Sequence, residues 1–324
     1  MTAPVCKLSI VCPAYEEEEV LPAFHAELCA VLDGLGPGYD VEILYVDDGS
    51  RDRTLPLLRR LAARDGRVRY LSLSRNFGHQ AALTAGMEHA AGDVLITMDS
   101  DLQHPPSVIP ELLRRWREGH DVVVTLREQD PTLSWFKRVS SDLFYRIMRV
   151  LSDTELRPAA ADFRLLTRPA AQALARMPER HRFLRGMVSW LGFRTATVDF
   201  TPAHRGAGHS KFTFRRMFAF AMDGMMSFSK LPLRLALGLG LGSTAAAVLV
   251  GLAGVLRGLF GAAPTDWGWY ALMATLLLVG GAVLGSLGVL GEYVGRIYDQ
   301  VKGRPLYLIK ESSSAAEGVK RGAA

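Results

Sequence analysis

The chain has 324 residues, of which 49% are hydrophobic and 22% are charged, with a formal net charge of +5 at pH 7. This length accommodates one full α/β domain with further elements. Because the positive charge comes without a basic and aromatic nucleic-acid motif, we expect attraction to anionic lipid and no nucleic-acid partner. Nearly all the long uncharged stretches lie after Leu231, so the chain divides into a soluble front and an apolar back.

Strand and helix patterns alternate along the front of the chain. The predicted strands are 7–12, 41–46, 68–72, 94–98 and 122–125, and the predicted helices are 18–32, 53–64, 80–90 and 106–118. Such alternation is typical of an α/β fold whose mostly parallel, twisted sheet is covered by helices on both faces. We assign this domain to residues 1–211. The first 13 residues lack the features of a signal peptide, so we expect the domain to stay in the cytosol.

Acidic residues follow three of these strands at the point where each strand ends. In open α/β sheets, ligands bind outside these carboxyl ends. Crowded carboxylates repel one another unless a cation lies among them, and hard divalent cations often bridge carboxylates to phosphates. The rim therefore suits a metal-bound nucleotide diphosphate. Its three segments are Pro13-Ala14-Tyr15-Glu16-Glu17, Asp47-Asp48-Gly49-Ser50 and Asp99-Ser100-Asp101.

Other interpretations of these features compete with a metal site. Asp99-Ser100-Asp101 alone is a weak signal, because such pairs are common in solvated turns, but its position directly after a strand strengthens it. A dinucleotide-binding fold needs a Gly-x-Gly-x-x-Gly turn after the first strand, where this chain has Pro and Glu, so a Rossmann dehydrogenase is disfavoured. Cys6, Cys12 and Cys29 show no metal or disulfide spacing and fit small core residues.

Six stretches of the sequence carry a family resemblance. They are Val11 to Glu17, Val46 to Ser50, Ser74 to Gly78, Asp99 to Pro106, Ala161 to Arg164 and Arg205 to Lys211. In this order they resemble the family 2 glycosyltransferases of GT-A fold, and within them the polyprenyl-phosphate sugar transferases, similar to dolichyl-phosphate mannose synthase and bactoprenyl glucosyltransferases. The resemblance covers nearly the whole chain. It implies a Rossmann-like GT-A catalytic domain followed by interfacial helices and two transmembrane helices.

The resemblance also implies a donor pocket and a metal site. In it, Pro13, Tyr15 and Glu17 line the base and ribose pocket. The nucleotide sugar is further held by Asp48, Arg75, Asp99 and Arg127, and Mg²⁺ or Mn²⁺ is held against the diphosphate by Asp99, Asp101 and Gln103. A divalent ion would neutralise the charge that develops on the leaving group as the glycosidic bond breaks, without proton transfer.

Several of these residues also have simpler interpretations. Tyr15 fits an ordinary aromatic residue at the rim, and Asp47 fits a cap on its own turn. Arg75 either binds a phosphate or pairs with the rim carboxylates. His79 and His104 lie near the site in sequence, but no sequence feature pairs either with a second group, so we rank them low as bases.

The expected acceptor determines how much base catalysis the reaction needs. A phosphate monoester with a second pKa of about 6 is mostly a dianion at neutral pH and is already a nucleophile. The resemblance places Asp162 in the active site with Asp101. We assign Asp162 an electrostatic or orienting role, with general base as the lesser option. A cap at the N-terminus of residues 163–167 is its structural alternative.

The stretch from Arg205 to Lys211 combines two glycines, a hydroxyl group and two cations. Glycines let backbone N–H groups approach an anion, and the cations supply the opposite charge. We therefore predict that Arg205, Ser210 and Lys211 bind the acceptor phosphate. The alternative is a flexible basic linker attracted to anionic lipids.

Two uncharged stretches, 235–256 and 267–291, are each long enough to cross a hydrocarbon core of about 30 Å. Core helices of that length normally show a polar face, so we predict transmembrane helices at 233–257 and 267–291. Basic residues flank the pair on the side of the soluble part and also follow the second span. Both termini are therefore expected on the cytoplasmic side of the inner (plasma) membrane, with 292–324 as a cytosolic tail.

Further segments are expected to associate with the bilayer or with another copy. Residues 212–232 are rich in Phe and Met with interspersed charges, which is typical of an interfacial amphipathic segment. Residues 135–150 repeat that character, and a buried core helix is an equal alternative there. Gly238 with Gly242, and Gly281 with Gly285, offer small-residue faces through which the transmembrane helices could form a homo-oligomer.

The sequence thus predicts an enzyme that transfers one sugar, with inversion, from a nucleotide donor to a polyprenyl (undecaprenyl) phosphate at the membrane. Glucose from UDP-glucose is favoured because the two spans are similar to those of bactoprenyl glucosyltransferases. UDP-4-amino-arabinose, UDP-GlcNAc and GDP-mannose donors stay open. A processive polysaccharide synthase shares the carboxylate rim, but this chain lacks the Gln-x-x-Arg-Trp motif of those enzymes. A catalytically inactive scaffold is disfavoured because the metal ligands are present.

Overall fold

The computed structural model describes residues 6–128, 160–180, 182–201, 231–259 and 267–313. These residues belong to two units. The first contains residues 6–128, 160–180, 182–201 and 304–313, and the second contains 231–259 and 267–303. The predicted helix at 135–150 and all but the last two residues of the predicted interfacial segment 212–232 lie outside the described residues.

An eight-stranded sheet forms the centre of the first unit, with the strand order β7-β5-β6-β4-β1-β2-β3-β8. Parallel pairing joins β1 to β2 and β4, β2 to β3, and β5 to β7. Only β6 and β8 run in the opposite direction within the described residues. The strands are Cys6–Ala14, Tyr39–Asp47, Val68–Leu73, Val94–Thr97, Val122–Arg127, Ala160–Thr167, Thr195–Phe200 and Ile309–Ser312, for β1 to β8. This architecture confirms the predicted mostly parallel α/β sheet.

Helices cover both faces of this sheet. Successive residues of a strand point to opposite faces, so each central strand can bury apolar residues against both layers of helices. The buried residues of α1 recur at helical spacing, as Phe24 and Leu28 illustrate, and they share one core with Leu8 and Ile10 of β1. On the other face, a Cβ at Gly86 of α3 would collide with the side chain of Val11, so the glycine permits close packing of helix on strand. The helices α1 to α6 are Leu21–Asp33, Thr54–Arg64, His79–His89, Ile109–Arg117, Arg168–Arg176 and Leu184–Trp190.

Strand β6 was not predicted as part of the sheet. It lies between β4 and β5 and is antiparallel to both, with Leu165 opposite Ile96 on one side and Val123 on the other. Asp162 lies within this strand rather than before a helix. The interpretation of Asp162 as a helix cap is therefore wrong, because residues 163–167 are extended and 164–166 are paired on both sides.

Strand β8 comes from the segment that the sequence analysis treated as a cytosolic tail. It extends the sheet by pairing antiparallel with β3, with Glu311 opposite Ser72. The carboxylate of Glu311 accepts a hydrogen bond of 2.6 Å from the Tyr70 hydroxyl and another of 2.8 Å from Arg59 Nε. Just before the strand, the Tyr307 hydroxyl donates to the carboxylate of Glu88 at the end of α3. The first unit thus contains a piece of chain from beyond the last helix.

The second unit contains two long helices, α7 (Leu231–Leu259) and α8 (Trp267–Val301). Both are long and apolar enough to cross a membrane, with candidate spans at Leu235–Ala253 and Leu272–Val301 and mean hydropathies of 2.0 and 2.1. Their large apolar side chains are exposed; Leu277, for example, keeps 76% of its surface. The helices also touch, since the Ser286 hydroxyl lies 3.2 Å from the carbonyl oxygen of Ala236. The second helix continues past the predicted end at residue 291.

Candidate active site

The ends of β1, β2 and β4 form one rim of the sheet, because these strands are neighbours and run parallel. Two hydrogen bonds join the loops that follow them. The Ser100 hydroxyl donates to the carbonyl oxygen of Pro13 at 2.8 Å, and the backbone N–H of Asp48 donates to the carbonyl oxygen of Ala14 at 2.9 Å. The three predicted acidic segments therefore meet at one edge, as the strand order requires.

Asp47 and Asp48 are buried and turn their carboxylates toward the protein. Asp47 accepts hydrogen bonds from the backbone N–H of Ser50 at 3.0 Å and from the Ser72 hydroxyl at 2.8 Å, so it caps its own turn. Asp48 accepts the backbone N–H groups of Phe77 and Gly78, at 2.8 and 2.9 Å. Burial raises the pKa of Asp48, and the two N–H groups offset only part of that effect. Asp48 thus anchors the 74–78 loop.

Gly49 allows the turn after β2 to lie against that same loop. Its φ is +71°, in the left-handed region where side chains are strained. A Cβ at this position would also lie 2.7 Å from the backbone nitrogen of Asn76 and 2.8 Å from the Cα of Arg75. Arg75 is exposed at the surface of the loop, with its guanidinium carbon 4.5 Å from the centre of the Phe77 ring. The loop therefore presents Arg75 at the rim.

Tyr15 and Glu17 lie in the loop between β1 and α1, and both are partly buried. The backbone of this loop is held by the turn after β2. The N–H of Glu17 donates to the Thr54 hydroxyl at 2.9 Å, and the N–H of Glu16 donates to the Ser50 hydroxyl at 3.0 Å. Glu16 itself has a φ of 55°, which is uncommon for a residue with a side chain. The loop that carries the two predicted pocket residues is thus fixed against the second acidic segment and the start of α2.

The predicted metal ligands lie together after β4. Asp101 accepts the backbone N–H and the side-chain amide N–H of Gln103, at 3.0 and 2.7 Å. The amide oxygen of Gln103 in turn lies 3.3 Å from a guanidinium nitrogen of Arg127. Gln103 therefore connects the loop after β4 to the end of β5. Leu102, between the first two, has a φ of 64°, which turns the loop sharply.

Two histidines flank Asp99 and differ in their environments. His79 Nε2 lies 2.7 Å from a carboxylate oxygen of Asp99; partial burial opposes protonation, but this carboxylate raises the pKa of His79 to about 9. His104 accepts the backbone N–H of Asp99 at Nδ1, at 2.9 Å, and stacks on Phe163 with ring centres 5.3 Å apart. Burial lowers the pKa of His104. His104 is therefore a neutral, structural residue, and His79 is a cation beside Asp99.

Asp162 is buried between two guanidinium groups. One carboxylate oxygen is paired with Arg164, and the other lies 3.0 Å from Arg185 and 3.5 Å from the amide nitrogen of Gln80. Burial alone would raise the pKa of Asp162, but Arg185 and Arg164 outweigh it and hold the pKa well below its ordinary value. Such a carboxylate stays ionised and is a weak proton acceptor. This geometry favours the orienting role over the general base.

Sequence reasoning missed the partners of Asp162. Arg164 lies inside a matched stretch, and its spacing of two residues from Asp162 places both on one face of a strand, so the pair was detectable once β6 was known. Gln80 and Arg185 belong to α3 and α6 and reach Asp162 only through the fold. The predicted acceptor-binding residues Arg205, Ser210 and Lys211 lie outside the described residues.

Comparison with known proteins identifies the family. The model of "Glycosyl transferase family 2" matches residues 9–174, a stretch that contains the whole acidic rim and Asp162. The chain belongs to this family. It is therefore a glycosyltransferase, as the six sequence motifs predicted.

Several curated proteins resemble this glycosyltransferase over nearly their whole length. It is 40% identical to the uncharacterized glycosyltransferase sll0501 of Synechocystis, across 94% of this chain and 95% of that protein. It is 39% identical to the SfII prophage-derived bactoprenol glucosyl transferase of Shigella flexneri, across 94% and 98%. It is also 39% identical to the uncharacterized glycosyltransferase YkcC of Bacillus subtilis, across 94% and 93%.

Solved structures resemble this chain more distantly. The mannosyltransferase PcManGT from Pyrobaculum calidifontis, in complex with GDP-Man and Mn²⁺, gives a TM-score of 0.46 at 14% identity, across 94% of this chain and 89% of that one. The glucosyl-3-phosphoglycerate synthase from Mycobacterium tuberculosis, in complex with Mn²⁺, UDP and phosphoglyceric acid, gives 0.45 at 19% identity, across 68% and 76%.

Proposed function

We propose that this glycosyltransferase moves one sugar from a nucleotide donor to a polyprenyl phosphate, and that the donor is UDP-glucose. The observation that carries the proposal is the similarity of 39% across 94% of the chain to a bactoprenol glucosyl transferase, which includes the two apolar helices as well as the catalytic unit. A lipid acceptor explains why a sugar-transferring unit is joined to such helices. UDP-4-amino-arabinose, UDP-GlcNAc and GDP-mannose also fit a polyprenyl phosphate acceptor, but the name of this relative favours glucose.

The donor is proposed to bind along the rim. Pro13, Tyr15 and Glu17 would surround the base and ribose, since their loop lies beside the turn that follows β2. Arg75 and Arg127 would face the phosphates, because both present guanidinium groups at the edge of the acidic cluster. Asp48 would act through the loop it anchors, since its two oxygens accept the N–H groups of residues 77 and 78.

The residues after β4 fit a divalent cation. Asp99 and Asp101 offer carboxylate oxygens and Gln103 offers an amide oxygen, and these are the donors that Mg²⁺ and Mn²⁺ take. When bound, such an ion would neutralise the diphosphate leaving group. The amide oxygen of Gln103 faces Arg127 in this structure. We therefore propose the two aspartates as the principal ligands and Gln103 as the residue that orients Asp101.

The other residues proposed for the site act on the acceptor phosphate, through their charge or by holding a charged neighbour in place. A phosphate monoester needs no general base, which agrees with the depressed pKa of Asp162. Asp162 instead holds the partly exposed Arg185 guanidinium, which would attract the anionic acceptor. Arg205, Ser210 and Lys211 are proposed to bind the acceptor phosphate from the segment before the first apolar helix. In the proposed topology, the catalytic unit and both termini are cytoplasmic and the turn between the helices is outside.

One assay tests the function and its alternatives together. Membranes containing the protein would be incubated with undecaprenyl phosphate and one labelled nucleotide sugar at a time, and lipid and aqueous products separated. We expect label in a lipid with a single sugar, strongest with UDP-glucose, and none with the Asp101→Asn variant. Label in a long polymer would support a processive synthase instead. No labelled lipid with any of the four donors would refute the proposed acceptor.

A further inference from the structure

A cluster of metal-binding side chains lies in the first unit outside the acidic rim. His25 and Cys29 are four residues apart on α1, so they are neighbours on one helix face. Asp65 follows the end of α2 and precedes β3. One ligand atom from each of these residues lies within 4.8 Å of the others. Since β3 begins after Asp65, the aspartate lies toward the amino ends of the strands, opposite the rim.

The distances place the three side chains within reach of one ion. Sγ of Cys29 lies 3.6 Å from Nε2 of His25. Ligands around a tetrahedral zinc ion are separated by about 3.5 Å, given Zn–S and Zn–N bonds of about 2.3 and 2.0 Å. Sγ also lies 3.9 Å from Nδ1 of His25, so the sulfur lies beside the ring, and a rotation of the Cys29 side chain is needed to bring it in front of Nε2. The Asp65 carboxylate oxygen lies within 4.8 Å of both atoms.

A second observation orients the histidine toward this site. Nδ1 of His25 lies 3.1 Å from the hydroxyl of Tyr45, which is fully buried on β2. Histidines that bind metal through one ring nitrogen commonly use the other in such a hydrogen bond, which fixes the ring. When a metal binds, the Cys29 thiol would release its proton to solvent.

The surrounding charges also favour a divalent cation. Arg67 pairs with Asp65 at 2.8 Å and with Asp33 at 2.6 Å, so one cation lies between two carboxylates and leaves a net negative charge. Ionisation of Cys29 would add a second negative charge, which a divalent ion would neutralise. Both oxygens of Asp65 already accept hydrogen bonds from Arg67, at 2.8–3.1 Å, so a bound ion would take the place of the contact that Arg67 Nε shares between them.

We propose that His25, Cys29 and Asp65 bind one Zn²⁺ ion, with water as a fourth ligand. Zinc is the divalent cation that best suits a mixed set of thiolate, imidazole and carboxylate. Bound there, it would fix α1 to the segment that leads into β3 and so stabilise the catalytic unit against unfolding. This site is independent of the ion proposed for Asp99 and Asp101, whose ligands are oxygen atoms alone.

Cobalt can test this site because a thiolate bound to Co²⁺ gives a charge-transfer band in the near ultraviolet, and oxygen ligands do not. The full-length protein, purified in detergent and stripped with a chelator, would be titrated with Co²⁺. We expect one band that saturates at one cobalt per chain and is displaced by Zn²⁺. The Asp101→Asn variant should keep the band, because the rim contributes no thiolate.

Matched cysteine variants then locate the ligand. Cys6 and Cys29 are both partly buried, so Cys6→Ser serves as the control for Cys29→Ser. The control should keep the band, whereas Cys29→Ser and His25→Gln should lose it and bind one zinc fewer per chain. Zinc should raise the Tm of the wild-type protein and of the control, but not of Cys29→Ser. No band in the wild-type protein, or an unchanged band in Cys29→Ser, would overturn the proposal.

Discussion

The Arg185 guanidinium lies 3.0 Å from the carboxylate of Asp162, although the two residues belong to different elements, α6 and β6. The Arg185 side chain is 33% exposed, whereas Asp162 is only 8% exposed. The arginine therefore lies between a buried carboxylate and solvent. Asp162 also keeps a second, buried partner in Arg164. Loss of Arg185 would therefore remove one of the two positive charges beside this carboxylate and leave the other in place.

Replacing Arg185 with Ala should lower the transfer rate by roughly ten- to a hundredfold, since it removes a cation proposed to attract the acceptor phosphate and one charge-assisted hydrogen bond contributes about 1.5–3 kcal/mol. Steady-state kinetics with purified enzyme and varied polyprenyl phosphate would measure it. Arg176→Ala is the control, because Arg176 is an exposed arginine on α5. Full activity of Arg185→Ala would show that the pair only supports the fold.

Asp99→Asn and Asp101→Asn should each lower transfer by more than about a hundredfold while the protein stays folded. Each substitution removes an anionic ligand from an ion that contributes several kcal/mol to the stabilisation of the leaving group. Activity and Mn²⁺ binding, followed by electron paramagnetic resonance, would be measured together. Glu111→Gln, at a partly exposed position on α4 where the carboxylate pairs with Arg114 and Arg115, is the control. Transfer that persists in excess EDTA would contradict the metal assignment.

Gly49→Ala should destabilise the catalytic unit by about 1–3 kcal/mol or more, because an alanine would be strained at a φ of +71° and would collide with the backbone of the 74–78 loop. Thermal unfolding and nucleotide affinity would report the effect. Gly66→Ala is the matched control, since a Cβ there meets nothing within 4 Å. Equal stability of the two variants would mean that the two loops separate at little cost.

Glu42 should make the stability of the catalytic unit depend on pH. It is buried; burial raises its pKa, but hydrogen bonds from Ser9, the Ala91 N–H and Arg69 outweigh that and lower the pKa. A carboxyl whose pKa is lower in the folded than in the unfolded state stabilises the fold above the unfolded value, about 4.3, and loses that effect as the pH falls through the folded value.

Glu42→Gln should therefore lower the Tm at pH 7, and the difference from the wild-type protein should shrink below about pH 4. Thermal unfolding at both pH values would measure it. Glu27→Gln, an exposed position on α1, should leave both values unchanged. A constant difference at all pH values would show that the glutamine disturbs packing rather than charge.

Arg205→Ala should lower transfer by roughly ten- to a hundredfold at limiting polyprenyl phosphate, with the donor affinity unchanged, because it removes a charge-assisted contact to the acceptor. Both quantities would be measured in detergent. If Arg205 is part of a basic linker instead, transfer in detergent should stay nearly intact and membrane attachment should weaken by about 1 kcal/mol. In that case Arg127, Lys137 and Arg138 are the next candidates for the acceptor phosphate.

The sequence by itself determined the type of sheet, the acidic rim and the two apolar helices. Each of these depends on residues close together in the chain. An apolar run followed directly by acidic residues marks the carboxyl end of a strand, and parallel strands bring such ends to one edge. Hence Asp48, Asp99 and Asp101 could be assigned to one rim before any tertiary contact was known.

Only the tertiary structure decided what each carboxylate contacts. Asp48 binds two backbone N–H groups of a loop that begins 26 residues later in the chain, at Ser74. Asp162 depends on Arg185, and β8 joins β3 from beyond the last helix. Local hydrophobic periodicity carries no information on such pairings, because they arise when distant segments pack to bury apolar surface and satisfy polar groups. The cluster of His25, Cys29 and Asp65 was missed for the same reason, since its third ligand comes from another element.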